Sequence, residues 1–273
     1  MYYYGAQHDL AQQIKTHLFV ISPNNSGSTF LKNVLATCPN TWNLRREGQH
    51  AFGFGGPTPT KLEIPYLWAS EQRYLDALTA PEAFDWEVVK KAWYFQAFSE
   101  NPDAQIFVEK SPPFLLHVNA LSRCFTNPRF LFMVRNPYAV AEGISRATGS
   151  FYSTRELAMR AAAIHIDKCF RLQRNNLDTY GDQGIFFTYE SLCENSDLVQ
   201  EQILEFVPEL ESLTLKQQIA VKGNYDEPLR NMNQQQVERL SDSDVDILNE
   251  VFDDRLLHSF GYTAKPRSKM SAV

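Results

Sequence analysis

Four short, almost wholly apolar runs constrain the fold of this chain more than anything else in it: residues 17–22, 105–109, 129–134 and 184–188. Each is followed by a stretch of helical character. Runs this short, with little polar alternation, are what strands covered on both faces look like. Strands alternating with helical segments imply a central parallel sheet with helices on both sides, an α/β fold of three layers, α/β/α. Ligands of such sheets sit beyond the carboxyl ends of the strands, so the residues that follow the four runs are where chemistry is expected.

At 273 residues the chain can bury one sizeable core. No linker, repeat or low-complexity tract divides it, so 1–273 is expected to be a single domain, with a core over about 17–262 and a loose tail over about 265–273. An insert over about 41–99 is expected to shape a pocket. Its first part, 41–65, breaks into Gly, Pro and aromatic residues, and an irregular segment that long is usually functional or mobile. Its second part has helical spacing around Leu67, Tyr74, Leu75, Leu78, Val88, Val89, Trp93 and Phe95. Near the end, Leu240–Asp244 supplies N-caps for a helical run from Val245 to Leu257.

The net charge of −6 argues against broad electrostatic binding to nucleic acid or to an anionic membrane. A polyanionic ligand would have to be held by a few local cations and helix ends. The cysteines, Cys38, Cys124, Cys169 and Cys193, form no CxxC pair, so neither a zinc site nor a disulfide framework is indicated, and reduced, mostly buried thiols are expected. No basic-then-apolar leader and no bilayer-length run is present, and a cytoplasmic location follows as the expectation.

Three segments carry the candidate chemistry. The first run leads into Ser22-Pro23-Asn24-Asn25-Ser26-Gly27-Ser28-Thr29, where small residues let backbone N–H groups close around an anion at the positive end of the next helix. Against the phosphate-loop pattern G-x-x-x-x-G-K-[ST], Gly27 and Thr29 fit, but Ser22 replaces the first glycine and Ser28 the lysine. An ordinary ATPase or GTPase is therefore disfavoured. The second segment, Glu109-Lys110-Ser111-Pro112, sets a lysine at the ligand edge of the sheet, although a lysine after a strand is more often simply solvated. In the third, a buried strand delivers Arg135, and Pro137 opens a helix whose amides can share an anion with that guanidinium.

With these segments in order, the chain resembles the sulfotransferases that use 3′-phosphoadenosine 5′-phosphosulfate (PAPS). Asn25-Ser26-Gly27-Ser28-Thr29 is similar to the family's 5′-phosphosulfate loop, commonly K/R-S-G-[ST]-T, and Arg135-Asn136-Pro137 to the opening of its 3′-phosphate motif. Glu109-Lys110-Ser111-Pro112 resembles a segment of many bacterial and carbohydrate-directed members, and Thr188-Tyr189-Glu190-Ser191-Leu192 the stretch whose tyrosine lies by the adenine. The closing region, from Arg230-Asn231-Met232-Asn233 to Phe260-Gly261-Tyr262, also looks like that of the family.

The resemblance implies a P-loop NTPase-like (sulfotransferase) topology, PAPS as co-substrate with PAP (3′-phosphoadenosine 5′-phosphate) as product, and no metal. It also implies a small-molecule acceptor bearing a hydroxyl or amine, and neither nucleic acid nor membrane as partner. Asn25, Ser26, Gly27, Ser28 and Thr29 would hold the 5′-phosphate, Arg135 would pair with the 3′-phosphate, and Lys110 would touch the transferred sulfuryl group. Tyr189 would lie by the adenine, with Lys222, Gly223 or Arg230 closing over the 3′-phosphate.

The chain departs from the family pattern in three places. Asn25 stands where a lysine or arginine often stabilises the bridging oxygen. Gly143 stands where a serine usually meets the 3′-phosphate, and Ser145, two residues on, is turned by roughly 200° on a regular helix. Arg146 is a potential substitute. The histidine that follows the lysine by two residues in phenol- and steroid-directed members is Pro112 here, which leaves Glu47 or His50 as the acceptor's base. For Glu47 an apolar pocket would raise the carboxyl toward the working pH, and a salt bridge to Arg45 or Arg46 is the plainer alternative. A non-catalytic PAP- or nucleotide-binding protein, and a P-loop kinase whose lysine comes from elsewhere, are the competing functions.

Overall fold

The computed structural model describes residues 12–51, 53–64, 66–81, 83–98, 103–221, 225–227 and 229–266. The four apolar runs are strands: β1 (Thr16–Ile21), β3 (Ile106–Lys110), β4 (Pro128–Val134) and β5 (Gly184–Thr188). They join a fifth, β2 (Thr41–Asn43), in a parallel sheet of order β2-β3-β1-β4-β5. Strand β2 lies inside the segment read from sequence as irregular. Three residues are too few to show a period, and its place comes from pairing Thr41, Trp42 and Asn43 with Ile106, Phe107 and Val108 of β3.

The expected three layers are present because β1 alternates with a period of two. Phe19 and Ile21 face a cluster that includes Trp42, Phe107, Phe130 and Phe132 of neighbouring strands. Helices α2 (Gln72–Thr79), α3 (Trp86–Phe98), α4 (Val118–Cys124) and the middle of the long α6 (Arg155–Tyr180) cover this face through Leu78, Trp93, Leu121 and Cys169. The Trp93 ring stacks on Phe107 with centroids 5.8 Å apart; burying a side chain of this size contributes on the order of 3 kcal/mol. Leu18 and Val20 point the other way, against Phe30, Leu31, Val34 and Leu35 of α1 (Ser28–Leu35), Leu192 of α7 (Tyr189–Glu194) and Ile203 of α8 (Ser196–Phe206).

A third cluster lies past the end of β4, where α5 (Pro137–Thr148) packs with α6 and with the C-terminal α10 (Asp242–Val251) and α11 (Asp254–Ser259). Gln173 of α6 donates its side-chain amide to the carbonyls of Ile21 at 2.8 Å and Met133 at 3.1 Å, satisfying buried groups where β1 and β4 turn into the ligand edge. The run expected as one helix from Val245 to Leu257 is two, because Asp253 leaves helical geometry and caps α11, accepting from the Arg255 and Leu256 amides. Among the described residues no helix is long and apolar enough to cross a membrane.

Candidate functional site

Each of the five strands delivers a residue to a single cleft of about 670 Å³ beyond the carboxyl edge of the sheet. Read in sheet order, β2 leads to Glu47, β3 ends at Lys110, β1 leads to residues 24–30, β4 to Arg135 and β5 to Tyr189. Among the described residues, the cleft lining carries five cationic side chains, Lys110, Arg135, Arg146, Arg230 and Arg239, against one carboxylate, Glu47. A chain of net charge −6 has thus concentrated positive charge in one concave place.

The loop after β1 is shaped by two left-handed residues, Asn25 at φ 58° and Gly27 at φ 83°. Gly27 is required twice over: by its φ, and because a Cβ there would lie 2.6 Å from the Tyr189 ring. Gly27 also N-caps α1 with no side chain covering the first turn, so the helix presents its open amides to the cleft. The Ser26 hydroxyl is buried and has no hydrogen-bond partner among the described residues. An orphaned hydroxyl beside uncapped amides suits the oxygens of a phosphate group.

At the β3 end the buried Lys110 hydrogen-bonds and ion-pairs with Oε1 of Glu47. Gln49 donates to the other oxygen, Oε2, at 2.6 Å, and Nε2 of His50 lies 3.9 Å from it. The raised carboxyl expected for Glu47 is corrected here. Burial does push it up, but the Lys110 charge and hydrogen bond, helped by Gln49 and His50, outweigh burial and hold it below the usual carboxylate range. Burial likewise lowers His50, more than its neighbour Glu47 raises it, and His50 is not among the residues lining the cleft. The expected alternative of a salt bridge from Glu47 to Arg45 or Arg46 is replaced by the pair with Lys110.

Two further residues hold this end together, and neither was singled out from sequence. Glu109, buried on the opposite face of β3 from Lys110, accepts from the Gly48 amide at 2.5 Å and the Ser111 hydroxyl at 2.7 Å. Burial pushes its carboxyl up to about 7 against those hydrogen bonds. By gripping Gly48 it sets the short turn Gly48–His50 that follows Glu47. Lys32, on the otherwise apolar face of α1, donates to the carbonyls of Leu44 and Arg46 and ties down the segment leading to Glu47. A glutamate inside an apolar strand was a visible signal for Glu109. A lysine on a helix was none for Lys32.

At the β4 end Arg135 is buried and all three guanidinium nitrogens are engaged. Nε donates to Asn233 at 2.8 Å, one terminal nitrogen to the Asn25 carbonyl at 2.9 Å, and the other to Oε1 of Gln236. Its plane lies over the Tyr189 ring, 4.2 Å from the centroid. Burial lowers the Arg135 guanidinium, opposed by Tyr189 and Glu190. Tyr189 in turn donates its hydroxyl to the Arg230 carbonyl at 2.7 Å. Asn233 and Gln236 belong to α9 (Asn233–Val237), a helix absent from the sequence reading.

The structure therefore brings Asn25 to Thr29, Glu47, Lys110, Arg135, Gly143, Tyr189 and Arg230 together around one cleft. Ser145 is not among the lining residues; its hydroxyl donates back to the Glu142 carbonyl at 3.1 Å, as the rotation from position 143 required. Lys222 and Gly223 lie outside the described residues. Arg146 does line the cleft, its Nε 2.9 Å from Glu142.

A family model described as the sulfotransferase family matches residues 17–211. Among solved structures, the sulfotransferase domain of the olefin synthase of Synechococcus PCC 7002 aligns with a TM-score of 0.51 at 18% identity, over 87% of this chain and 94% of that one. The sulfotransferase STF9 of Mycobacterium avium aligns with a TM-score of 0.51 at 15% identity, over 76% of this chain and 68% of that one. At such identities these likenesses speak to the fold alone. No curated protein sequence matches the chain.

Proposed function

The chain belongs to the sulfotransferase family, and we propose that it moves a sulfuryl group from PAPS to a hydroxyl or amine of a small-molecule acceptor, as a single cytoplasmic domain. The observation that carries this reading is the order of groups along the sheet edge. A carboxylate and a lysine stand at one end, a phosphate-loop geometry in the middle, and a buried arginine with a tyrosine at the other. The orphaned Ser26 hydroxyl and the open amides of α1 fit the 5′-phosphate, and Arg135 on Tyr189 fits the 3′-phosphate and adenine end.

When bound, PAPS supplies the sulfur centre, which transfers in line from its bridging oxygen to the acceptor atom. Glu47 takes the proton that the acceptor loses. Lys110 holds this carboxylate ionised at rest. As its ammonium turns toward the oxygens of the transferring group, its hold on Glu47 loosens and the carboxylate becomes a stronger base when the proton must move. Asn25 carries no charge, so positive potential at the bridging oxygen falls to Lys110 and the α1 N-terminus.

Calorimetric titration with PAP, followed by incubation with PAPS and a panel of phenols, alcohols and amines, tests the proposal. Binding of PAP and a mass gain of one sulfuryl group on an acceptor support it, and failure to bind PAP overturns it. The uncharged Asn25 favours a second reading, PAP binding without turnover, which the same panel separates from the first.

A further inference from the structure

Resting on that reading, we infer that Gln236, reaching in from α9, is a 3′-phosphate contact of this chain and takes over the task of the side chain that Gly143 lacks. Gly143 sits within α5, where the backbone places no demand for glycine. What demands it is space. A Cβ at this position would lie 2.9 Å from Nε2 of Gln236 and 3.3 Å from Nδ2 of Asn25. Two amide nitrogens, from two different parts of the chain, therefore converge on the place where a short hydroxyl side chain at 143 would project.

The orientation of the Gln236 amide follows from its partner. Only its oxygen can accept from the Arg135 guanidinium, which leaves the NH2 group facing the Gly143 side. Neither that nitrogen nor Nδ2 of Asn25 donates a hydrogen bond to any described residue, and both residues line the cleft. Unused donors aimed into a cavity, flanking a buried guanidinium, make a site for a tetrahedral dianion. Gln236 has a second effect there, since its oxygen fixes one arm of the Arg135 fork.

The recognition unit at this end is then Arg135, Gln236 and Asn25, with Gln236 supplied by α9, rather than the arginine and a serine on the helix that follows it. It discriminates for the 3′-phosphate and is indifferent to the rest of the nucleotide. PAP and adenosine 5′-monophosphate (AMP) differ by that one group, so their affinity ratio reads the site directly.

The test is calorimetry of PAP and AMP on wild type, Gln236→Ala and Gly143→Ala, with thermal unfolding of each. In Gly143→Ala the new methyl meets the side-chain amides of Gln236 and Asn25 and no backbone, so it displaces the Gln236 amide, the nearer of the two, while the helix stays folded. Both variants are expected to weaken PAP by about tenfold, the worth of a hydrogen bond to a charged group, with AMP affinity unchanged. Loss of PAP and AMP in equal measure, no loss in either variant, or a gain in PAP affinity on removing Gln236 overturns the inference. If wild type fails to bind PAP, the proposed function falls and the inference with it; if it binds PAP with no preference over AMP, the inference alone is overturned. A wild-type preference that survives in both variants overturns the inference alone.

Discussion

The Lys110 side chain, only 3% exposed, is paired with a Glu47 side chain that is 27% exposed; Lys110 ends β3, and Glu47 lies four residues past the end of the neighbouring β2. Neither group is placed by the segment that carries it alone. Lys110 is buried by its strand, whereas Glu47 is brought to it by the grip of Glu109 on Gly48 and of Lys32 on Leu44 and Arg46. The proposed proton acceptor and the proposed cation for the transferred group are thus held in contact with each other.

Glu47→Gln keeps the shape and removes the proposed base. We expect kcat to fall by about 10²–10⁴-fold, the range for loss of a general base, while calorimetric affinity for PAP stays near wild type. Lys110→Ala should lower kcat at least as much with little change in PAP affinity. Equal loss of PAP affinity in both variants would show that the pair only holds the nucleotide.

The acid limb of kcat/KM should lie below the ordinary carboxyl value of 4.5, because burial, which raises Glu47, is outweighed by Lys110, Gln49 and His50 acting together. Lys110→Met removes the main opposition to burial and leaves only Gln49 and His50 against it, so in that variant the residual activity should lose its low-pH plateau and fall at a higher pH than wild type. An unmoved limb in the pH profile would separate Glu47 from the titration.

Glu109 carries the opposite sign. Its folded carboxyl, pushed up to about 7, holds a proton that the unfolded chain has released, so its contribution to stability falls as pH rises from 4.5 to about 7 and levels off above. The swing is on the order of 3 kcal/mol. Denaturant unfolding across that range should show this loss in wild type and not in Glu109→Gln.

Arg135→Lys retains the charge but cannot make three directed bonds and a stack from one nitrogen. PAP affinity should drop by roughly tenfold or more, since each bond to a charged group is worth about 1.5–3 kcal/mol. At saturating PAPS the turnover should be less affected than in Lys110→Ala.

Gly27→Ala combines a left-handed φ of 83° with a Cβ 2.6 Å from the Tyr189 ring. A loss of about 1–3 kcal/mol in denaturant unfolding is expected, together with weaker PAP binding as Tyr189 shifts away from Arg135. Unchanged stability would mean that the ring moves freely and does not hold the guanidinium.

Much of the fold was legible in local pattern, because β1, β3 and most of β4 are buried on both faces and so are largely apolar, while the edge strand β5 is apolar but only partly buried, with Phe186 exposed. The exceptions are instructive. Strand β2 is three residues long and owes its existence to the edge of β3. The break before α11 comes from Asp253, whose capping competes with continuing the helix and leaves no gap in apolar spacing. In the site, Lys110, Arg135 and the 25–29 loop were visible because each abuts a strand end, and strand ends in such sheets meet at one edge. The raised carboxyl expected for Glu47 came out reversed, since its sign hangs on Lys110, a residue far along the chain.

By itself the sequence determined four of the five strands of the sheet, that they run parallel, and therefore most of the residues that stand at the edge beyond their carboxyl ends; apolar burial and the geometry of strand–helix alternation are local enough to be written in order along the chain. Only the tertiary structure decided what those residues meet. The pairing of Lys110 with Glu47, the service of Glu109 and Lys32 beneath it, and the arrival of Gln236 beside Gly143 are contacts between segments distant in sequence. Hydrogen bonds and ion pairs depend on distance and direction in space, and neither is carried by the order of residues until the sheet has brought the strand ends together.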